Sequence, residues 1–306
     1  MNRLTSFGPI QAKQYLRKMR GGSQSCLVRG EDENLYVIKM VGNPQGSKVL
    51  LNEALGTQLM RDIGLPVPAW SLIELTADFI DSTPQLWFDI GASQRNAPKS
   101  GLHFGSKLVV ADSTAYEYLP VEWFVQVVNR SDFIGALLFD VWCSHGDRRQ
   151  AVFIPNRGRN LEAVFIDQGA LFSNARIPTP RTNLCAMYWD PEIYAGLDAG
   201  ELLPFWESRI QNFDLVQFER EFTLIGLPSE WYTPTNATAN ILSKLKQRQK
   251  SLGRLSSSVR GTLNSEIRRM SQARAWSQRR EAIQICDPRM QPDCNGRVDC
   301  AALSLR

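Results

Sequence analysis

Four ionisable residues stand where they could move a phosphoryl group. Lys39 ends the apolar run Leu35-Tyr36-Val37-Ile38, and Glu53 follows in Leu51-Asn52-Glu53-Ala54. Asp147 lies in the polar stretch Ser144-His145-Gly146-Asp147-Arg148-Arg149-Gln150, and Asp167 closes Ala163-Val164-Phe165-Ile166. In phosphoryl transfer a strand lysine pairs with nucleotide phosphates and is held by a helix glutamate. One aspartate orients the attacking hydroxyl, and another holds magnesium. Singly, each residue has a plainer role: a solvated strand lysine, a surface helix acid, a turn aspartate. Asp167 resists that treatment, because a carboxylate leaving a buried strand needs a partner or a cation. Their order and spacing favour the joint reading.

The elements that must position these groups are legible as patterns. Gly21-Gly22-Ser23-Gln24-Ser25 leads into Cys26-Leu27-Val28, a polar turn, and the strand of Lys39. This is a β-hairpin with a glycine-rich entry, whose glycines let backbone N–H groups approach phosphate oxygens. No Gly-Lys-Ser/Thr occurs, which disfavours a P-loop. Leu50, Ala54, Leu55, Leu59 and Ile63 recur at helical spacing and predict a helix over 47–63, stopped by Gly64 and Pro66. Glu53 sits at the edge of that stripe. Strands are expected at 69–75 and 104–110, with an irregular loop over 80–103. Helices are expected at 121–129 and 131–144, with Ser131 as N-cap. Strand runs at 151–154 and 161–166 flank a turn at 156–159. Helices follow at 200–211 and 214–225, and Leu227, Trp231 and Tyr232 close the core. Residues 236–283 read as basic helices broken near Gly253 and Gly261, and the last twenty or so residues as irregular.

A chain of 306 residues exceeds one small core. We expect an α+β, bilobal protein-kinase-like fold: a β-rich N-lobe over 1–112, a mainly helical C-lobe over 113–235, and a basic helical C-terminal extension with an irregular tail over 236–306. The opening residues lack a signal-peptide core, and no apolar run is long enough to span a membrane. The six cysteines form no C-x-x-C pair and only two histidines occur, so a zinc site is not expected. The thiols read as reduced and cytoplasmic, with a disulfide among Cys286, Cys294 and Cys300 as the exception to consider. The net charge of +4 is uneven: residues 241–280 hold eleven Lys or Arg and one acid, Glu266. That segment alone is +10, leaving −6 elsewhere by difference.

The chain resembles the HipA-like kinases, relatives of the bacterial HipA toxin within the protein-kinase/phosphatidylinositol-kinase fold. The resemblance rests on Gly22-Ser23-Gln24-Ser25, Tyr36-Val37-Ile38-Lys39 with Gly42-Asn43-Pro44-Gln45-Gly46, and Leu51-Asn52-Glu53 leading to Gly64-Leu65-Pro66-Val67-Pro68. It continues through Asn129-Arg130-Ser131-Asp132-Phe133, Phe139-Asp140-Val141-Trp142, Gly146-Asp147-Arg148-Arg149-Gln150 and Phe165-Ile166-Asp167-Gln168-Gly169. It implies ATP- and Mg2+-dependent transfer to serine or threonine of a protein. Gly22, Ser23, Gln24, Ser25 and Lys39 would then bind nucleotide, Glu53 would anchor Lys39, Asp147 would be the catalytic base and Asp167 the metal ligand. Ser23 or Ser25 would be the autophosphorylated residue. His145 stands where the family often has Asn, and Val152 where kinases place a metal-binding Asn; Gln150 is the nearest amide and the second metal candidate. Because the core begins within thirty residues, the N-terminal subdomain of full HipA toxins is expected to be missing.

A cytoplasmic protein kinase acting as toxin or stress regulator, with an antitoxin or regulatory protein as partner, is the leading expectation. A lipid or small-metabolite kinase of the same fold is the second. A nucleotide-gated scaffold binding nucleic acid, acidic lipid or an acidic partner through 241–280 is the third.

Overall fold

Short strands surround one long helix in the first third of the chain. In the computed structural model, which describes residues 8–46, 48–91, 94–109, 115–172, 186–232 and 236–285, five strands close into a barrel in the order β1-β2-β3-β7-β4. These are β1 (Ile10–Lys18), β2 (Cys26–Gly30), β3 (Leu35–Lys39), β4 (Trp70–Leu75) and β7 (Gly101–Lys107). Cys26 pairs with Ile38, Lys39 with Phe104, and Leu72 with Phe104. Parallel pairing of Ile10 with Ile73 closes the ring. Ala12, Cys26, Val28, Tyr36, Ile38, Ile73 and Leu75 fill its interior.

Two features of this region depart from expectation. β1 carries almost no apolar alternation, and Ala12 is its one buried residue. It exists because its backbone completes the ladder with β2, through two register shifts. The expected irregular loop holds the tail of α2 (Ala77–Asp81), capped by the Thr76 hydroxyl, and a small hairpin of β5 (Phe88–Asp89) and β6 (Arg95–Asn96). It also holds the first residues of β7.

His103 on β7 is wholly buried. Its Nδ1 accepts from the Val41 N–H at 3.0 Å, and its Nε2 lies 3.1 Å from the Lys99 carbonyl. That pairing requires a neutral ring with its proton on Nε2. Burial pushes the imidazole down to about 4, against the opposing pull of the Lys99 carbonyl. The folded value lies below the ordinary 6.5, so this contribution to stability is complete above pH 6.5 and is lost as pH falls towards about 4. The melting temperature should fall across that window more steeply in wild type than in His103→Asn, as scanning calorimetry at several pH values would show.

α1 (Lys48–Ile63) is buried on nearly every side, including polar Asn52, Glu53, Thr57 and Gln58. It belongs to a second core, shared with α3 (Asp132–Cys143), the hairpin β8 (Gln150–Pro155) and β9 (Leu161–Ile166), α4 (Ala199–Gln211) and α5 (Leu215–Thr223). Side chains of Asp198 and Asp214 cap the last two helices. Trp231 is fully buried and its indole donates to the Leu102 carbonyl at 3.2 Å. The segment expected as helix over 121–129 is a 3-10 helix over Val121–Gln126. Ser131 is already helical and makes no side-chain cap bond; Asn129 Nδ2 instead donates to Asp132 Oδ2 at 3.1 Å.

α3 and α4 cross at Gly135, where an added Cβ would fall inside the van der Waals envelope of the buried Trp206 ring. Ala has better helix propensity than Gly by about 1 kcal/mol. Overpacking against a ring with no room to move costs about 1–3 kcal/mol, so the clash wins. Gly135→Ala should therefore lower the urea midpoint.

α6 (Ala237–Gln249) and α7 (Leu252–Ile285) form the basic region. The break falls at Lys250 and Ser251, and Gly253 and Gly261 lie within α7. Burial of Leu252, Leu255, Val259 and Leu263 along one face offsets the roughly 1 kcal/mol that each helix glycine costs. One cation of this region is structural. The Arg248 guanidinium donates to the carbonyls of Val141 and Trp142 at the end of α3, while Trp142 donates to the Leu245 carbonyl at 3.1 Å.

The chain divides into two compact units, residues 1–263 and 264–306. The second is helical as far as Ile285, with a Glu266–Arg269 pair at 2.9 Å. The tail cysteines lie outside the described residues. No helix among the described residues is long and apolar enough to cross a membrane.

Candidate active site

Lys39 ends β3 and meets two acids from distant parts of the chain. Its Nζ donates to Glu53 Oε1 on α1 and, at 2.8 Å, to Asp167 Oδ1 just past β9. Glu53 Oε2 accepts from the Gln168 N–H at 3.0 Å, so one buried carboxylate holds both the lysine and the turn after Asp167. Burial pulls the pKa of the amine down, but Glu53 first and Asp167 second raise it above the ordinary lysine value. Burial works against the Asp167 carboxylate, yet Lys39 prevails and holds it down at about 2, ionised throughout the neutral range.

The turn at Asp167 is built for close approach. Its φ of 61° takes the backbone into the left-handed region, which redirects the chain as β9 ends. Any Cβ on Gly169 would lie 2.9 Å from Val49 Cγ1 and 3.0 Å from Glu53 Oε1. Glycine is what the packing of this turn onto α1 permits. Asn52 Nδ2 then donates to the carbonyls of Gly169 at 2.8 Å and Leu171 at 2.7 Å, tying the turn to the helix that carries Glu53.

Asp147 comes from the other side of the same turn. α3 ends with Ser144 in the left-handed region (φ 56°). The Gly146 N–H then donates to the Ala170 carbonyl at 3.0 Å, and the Phe172 N–H to the Cys143 carbonyl at 3.0 Å. These bonds seat the Asp147 loop against the residues that follow Asp167. Asp147 is exposed, with Oδ1 accepting from the Arg148 N–H at 2.7 Å. In the hairpin, Gln150 stands opposite Ile166, which lets its Nε2 reach Asp167 Oδ2 at 3.0 Å. His145 is buried, and neither ring nitrogen has a hydrogen-bond partner among the described residues.

The structure thus brings Lys39, Glu53, Asp167 and Gln150 into direct contact and places the Asp147 loop beside them. The glycine-rich loop is tied down by its own side chains. Ser23 and Ser25 are buried, and their hydroxyl oxygens lie 2.9 Å apart. Gln24 spends its side chain on the β5–β6 hairpin, donating to the Asp89 carbonyl and accepting from the Asp89 N–H, both at 2.8 Å. Lys18 reinforces the latch with an ion pair to Asp89 at 2.6 Å. A phosphoryl group could reach either serine only after this loop opens.

Sequence reasoning missed the residues beneath the site. Arg149 is 1% exposed. It donates to Asp140 through Nε at 2.8 Å and through a second, bidentate contact, and also to the Ile166 carbonyl at 3.1 Å and to Gln168 Oε1 at 2.6 Å. Asn129 clamps β9 through the Ala163 N–H and carbonyl, at 2.8 and 2.9 Å. The available signal was Asp140 itself, an acid in the otherwise apolar run from Phe133 to Cys143.

A fixed ammonium beside hard oxygen donors suits a polyphosphate with a divalent cation. Magnesium needs only one or two side-chain oxygens when phosphates complete its shell, and Asp167 with the Gln150 amide can offer them. The arrangement is that of a kinase. A family model for HipA-like kinases matches residues 13–165, half of the chain, and the chain belongs to that family. Phosphoryl transfer is its chemistry. No curated protein matches the chain. Among solved structures it is similar to a Golgi casein kinase at 9% identity and a TM-score of 0.46, covering 84% of this chain and 74% of that one. It is also similar to the same kinase with Mn and ADP bound, at 10% identity and a TM-score of 0.43, covering 85% and 74%.

Proposed function

We propose that the protein is an ATP- and magnesium-dependent kinase that phosphorylates serine or threonine of a protein. The observation that carries this reading is Lys39 held between Glu53 and Asp167, with the Asp147 loop tied to the turn that follows Asp167. ATP would supply the phosphoryl group, and magnesium would shield the phosphate charge. Lys39 would pair with the phosphates, Glu53 would hold Lys39 in place, and Asp167 with Gln150 would ligate the metal. Gly22, Ser23 and Ser25 would cover the nucleotide, with Gln24 fixing the loop from outside. Asp147 would orient the acceptor hydroxyl and take its proton.

In this reading the barrel within residues 1–112 is the nucleotide-bearing lobe, residues 113–235 carry the base and the acceptor, and residues 236–306 are an appended extension. The internal use of Arg248 favours a packing role over a nucleic-acid role for at least that part of the basic segment. The test is label transfer from ATP to a cell extract, with and without magnesium, followed by mapping of the modified residues. Magnesium-dependent phosphoserine or phosphothreonine is expected. Label found only in lipid or small metabolites would overturn the protein acceptor and leave the kinase.

A further inference from the structure

Two exposed aromatic side chains stand beside the base. Trp189 is 40% exposed and Tyr118 is 68% exposed, and their rings meet edge to face at 5.6 Å. Arg148, the residue after Asp147, reaches the Trp189 carbonyl with Nη1 at 3.5 Å. Arg149 pairs with Tyr188 as an isolated parallel bridge, so the Trp189 segment runs alongside the Asp147 loop. Tyr118 is fixed from below: Tyr116 exchanges two backbone hydrogen bonds with Phe153 of β8, at 2.9 and 2.8 Å. The platform is therefore anchored on both sides to the elements that carry the base. Adjacent exposed aromatic rings offer a surface on which an apolar side chain can pack.

What covers the platform follows from its place. Any acceptor must bring its hydroxyl within hydrogen-bond reach of Asp147. An acceptor that extends from Asp147 across Arg148 would meet the Trp189 segment, whose carbonyl the Arg148 side chain reaches. We propose that Tyr118 and Trp189 bind the acceptor polypeptide and select a serine or threonine with an aromatic or branched aliphatic neighbour. This rests on the reading of the protein as a serine/threonine protein kinase. The bound segment is extended, so its side chains alternate, and a neighbour on the same face as the hydroxyl can lie against the rings. Tyr118 and Trp189 are specificity residues in this scheme and take no part in proton transfer.

The test uses the full chain, labelled ATP, magnesium and a set of Ser and Thr peptides that carry Phe, Leu, Ala or Glu at each flanking position in turn. Wild type should favour Phe or Leu over Ala at one flanking position by roughly three- to tenfold, the size of aromatic packing contributions. In Tyr118→Ala and in Tyr118→Ala/Trp189→Ala that ratio should fall towards one, and in Trp189→Phe it should persist. Because the readout is a ratio within each variant, a general loss of activity does not mimic the effect, and the exposed Tyr118 can be changed alone. Transfer by wild type with no apolar preference, or a preference that survives both alanine variants, overturns the platform and leaves the kinase reading standing. No transfer by wild type to any peptide overturns both.

Discussion

Asp147→Asn should cut phosphoryl transfer by about a hundred- to ten-thousandfold, the usual contribution of a positioned general base. It should do so without touching stability. Asp147 is exposed, and its one hydrogen bond among the described residues is accepted from the Arg148 N–H at 2.7 Å, a bond that an asparagine carbonyl oxygen can also accept. Surface changes of this kind stay within about 0.5 kcal/mol. Single-turnover transfer from magnesium-ATP, set beside a urea titration of the same sample, makes the comparison. An unaltered rate with an unaltered midpoint would remove Asp147 from the chemistry. A rate loss that only tracks unfolding would give it a structural role instead.

Asp140→Ala should be the reverse case. The Asp140 and Arg149 side chains are 0% and 1% exposed and are paired through two nitrogen–oxygen contacts. Breaking a buried pair from one side leaves an uncompensated charge in the interior and costs about 3–5 kcal/mol. That is a large part of the roughly 5–15 kcal/mol by which a domain is stable. Equilibrium denaturation should show it directly. Replacing both partners with apolar residues of similar size, as in Asp140→Leu/Arg149→Met, should recover much of the loss, because no orphaned charge remains. Activity should not recover with it. Arg149 also holds the Ile166 carbonyl and Gln168 Oε1, on either side of Asp167, and nothing in the double variant replaces those bonds. A stable double variant with wild-type turnover would show that the Asp167 turn holds its geometry without Arg149.

The two substitutions separate chemistry from scaffold, and they also mark how far a linear reading goes. α1 was legible because Leu50, Ala54, Leu55, Leu59 and Ile63 keep helical spacing, and β8 and β9 because short apolar runs flank a turn. Lys39 and Asp167 stood out because charged residues at the ends of apolar strands need a reason to be there, and Glu53 and Asp147 because their order and spacing fit those two. β1 was not legible, since its polar residues are held by backbone pairing and not by side-chain burial. Nor was the commitment of Gln24 to Asp89, a contact across 65 residues between two loops.

By itself, then, the amino-acid order determined the local elements and the types of group able to handle phosphate. Tertiary structure alone decided which of them meet. Lys39 and Asp167 are 128 residues apart, and no periodicity carries information over that span. Arg148 and Arg149 show the limit most sharply. They are adjacent and chemically identical, yet one lies in solvent and the other is buried on Asp140. As the chain enters β8, successive side chains point to opposite faces, so the seating of that strand on α3 selects which arginine enters the core.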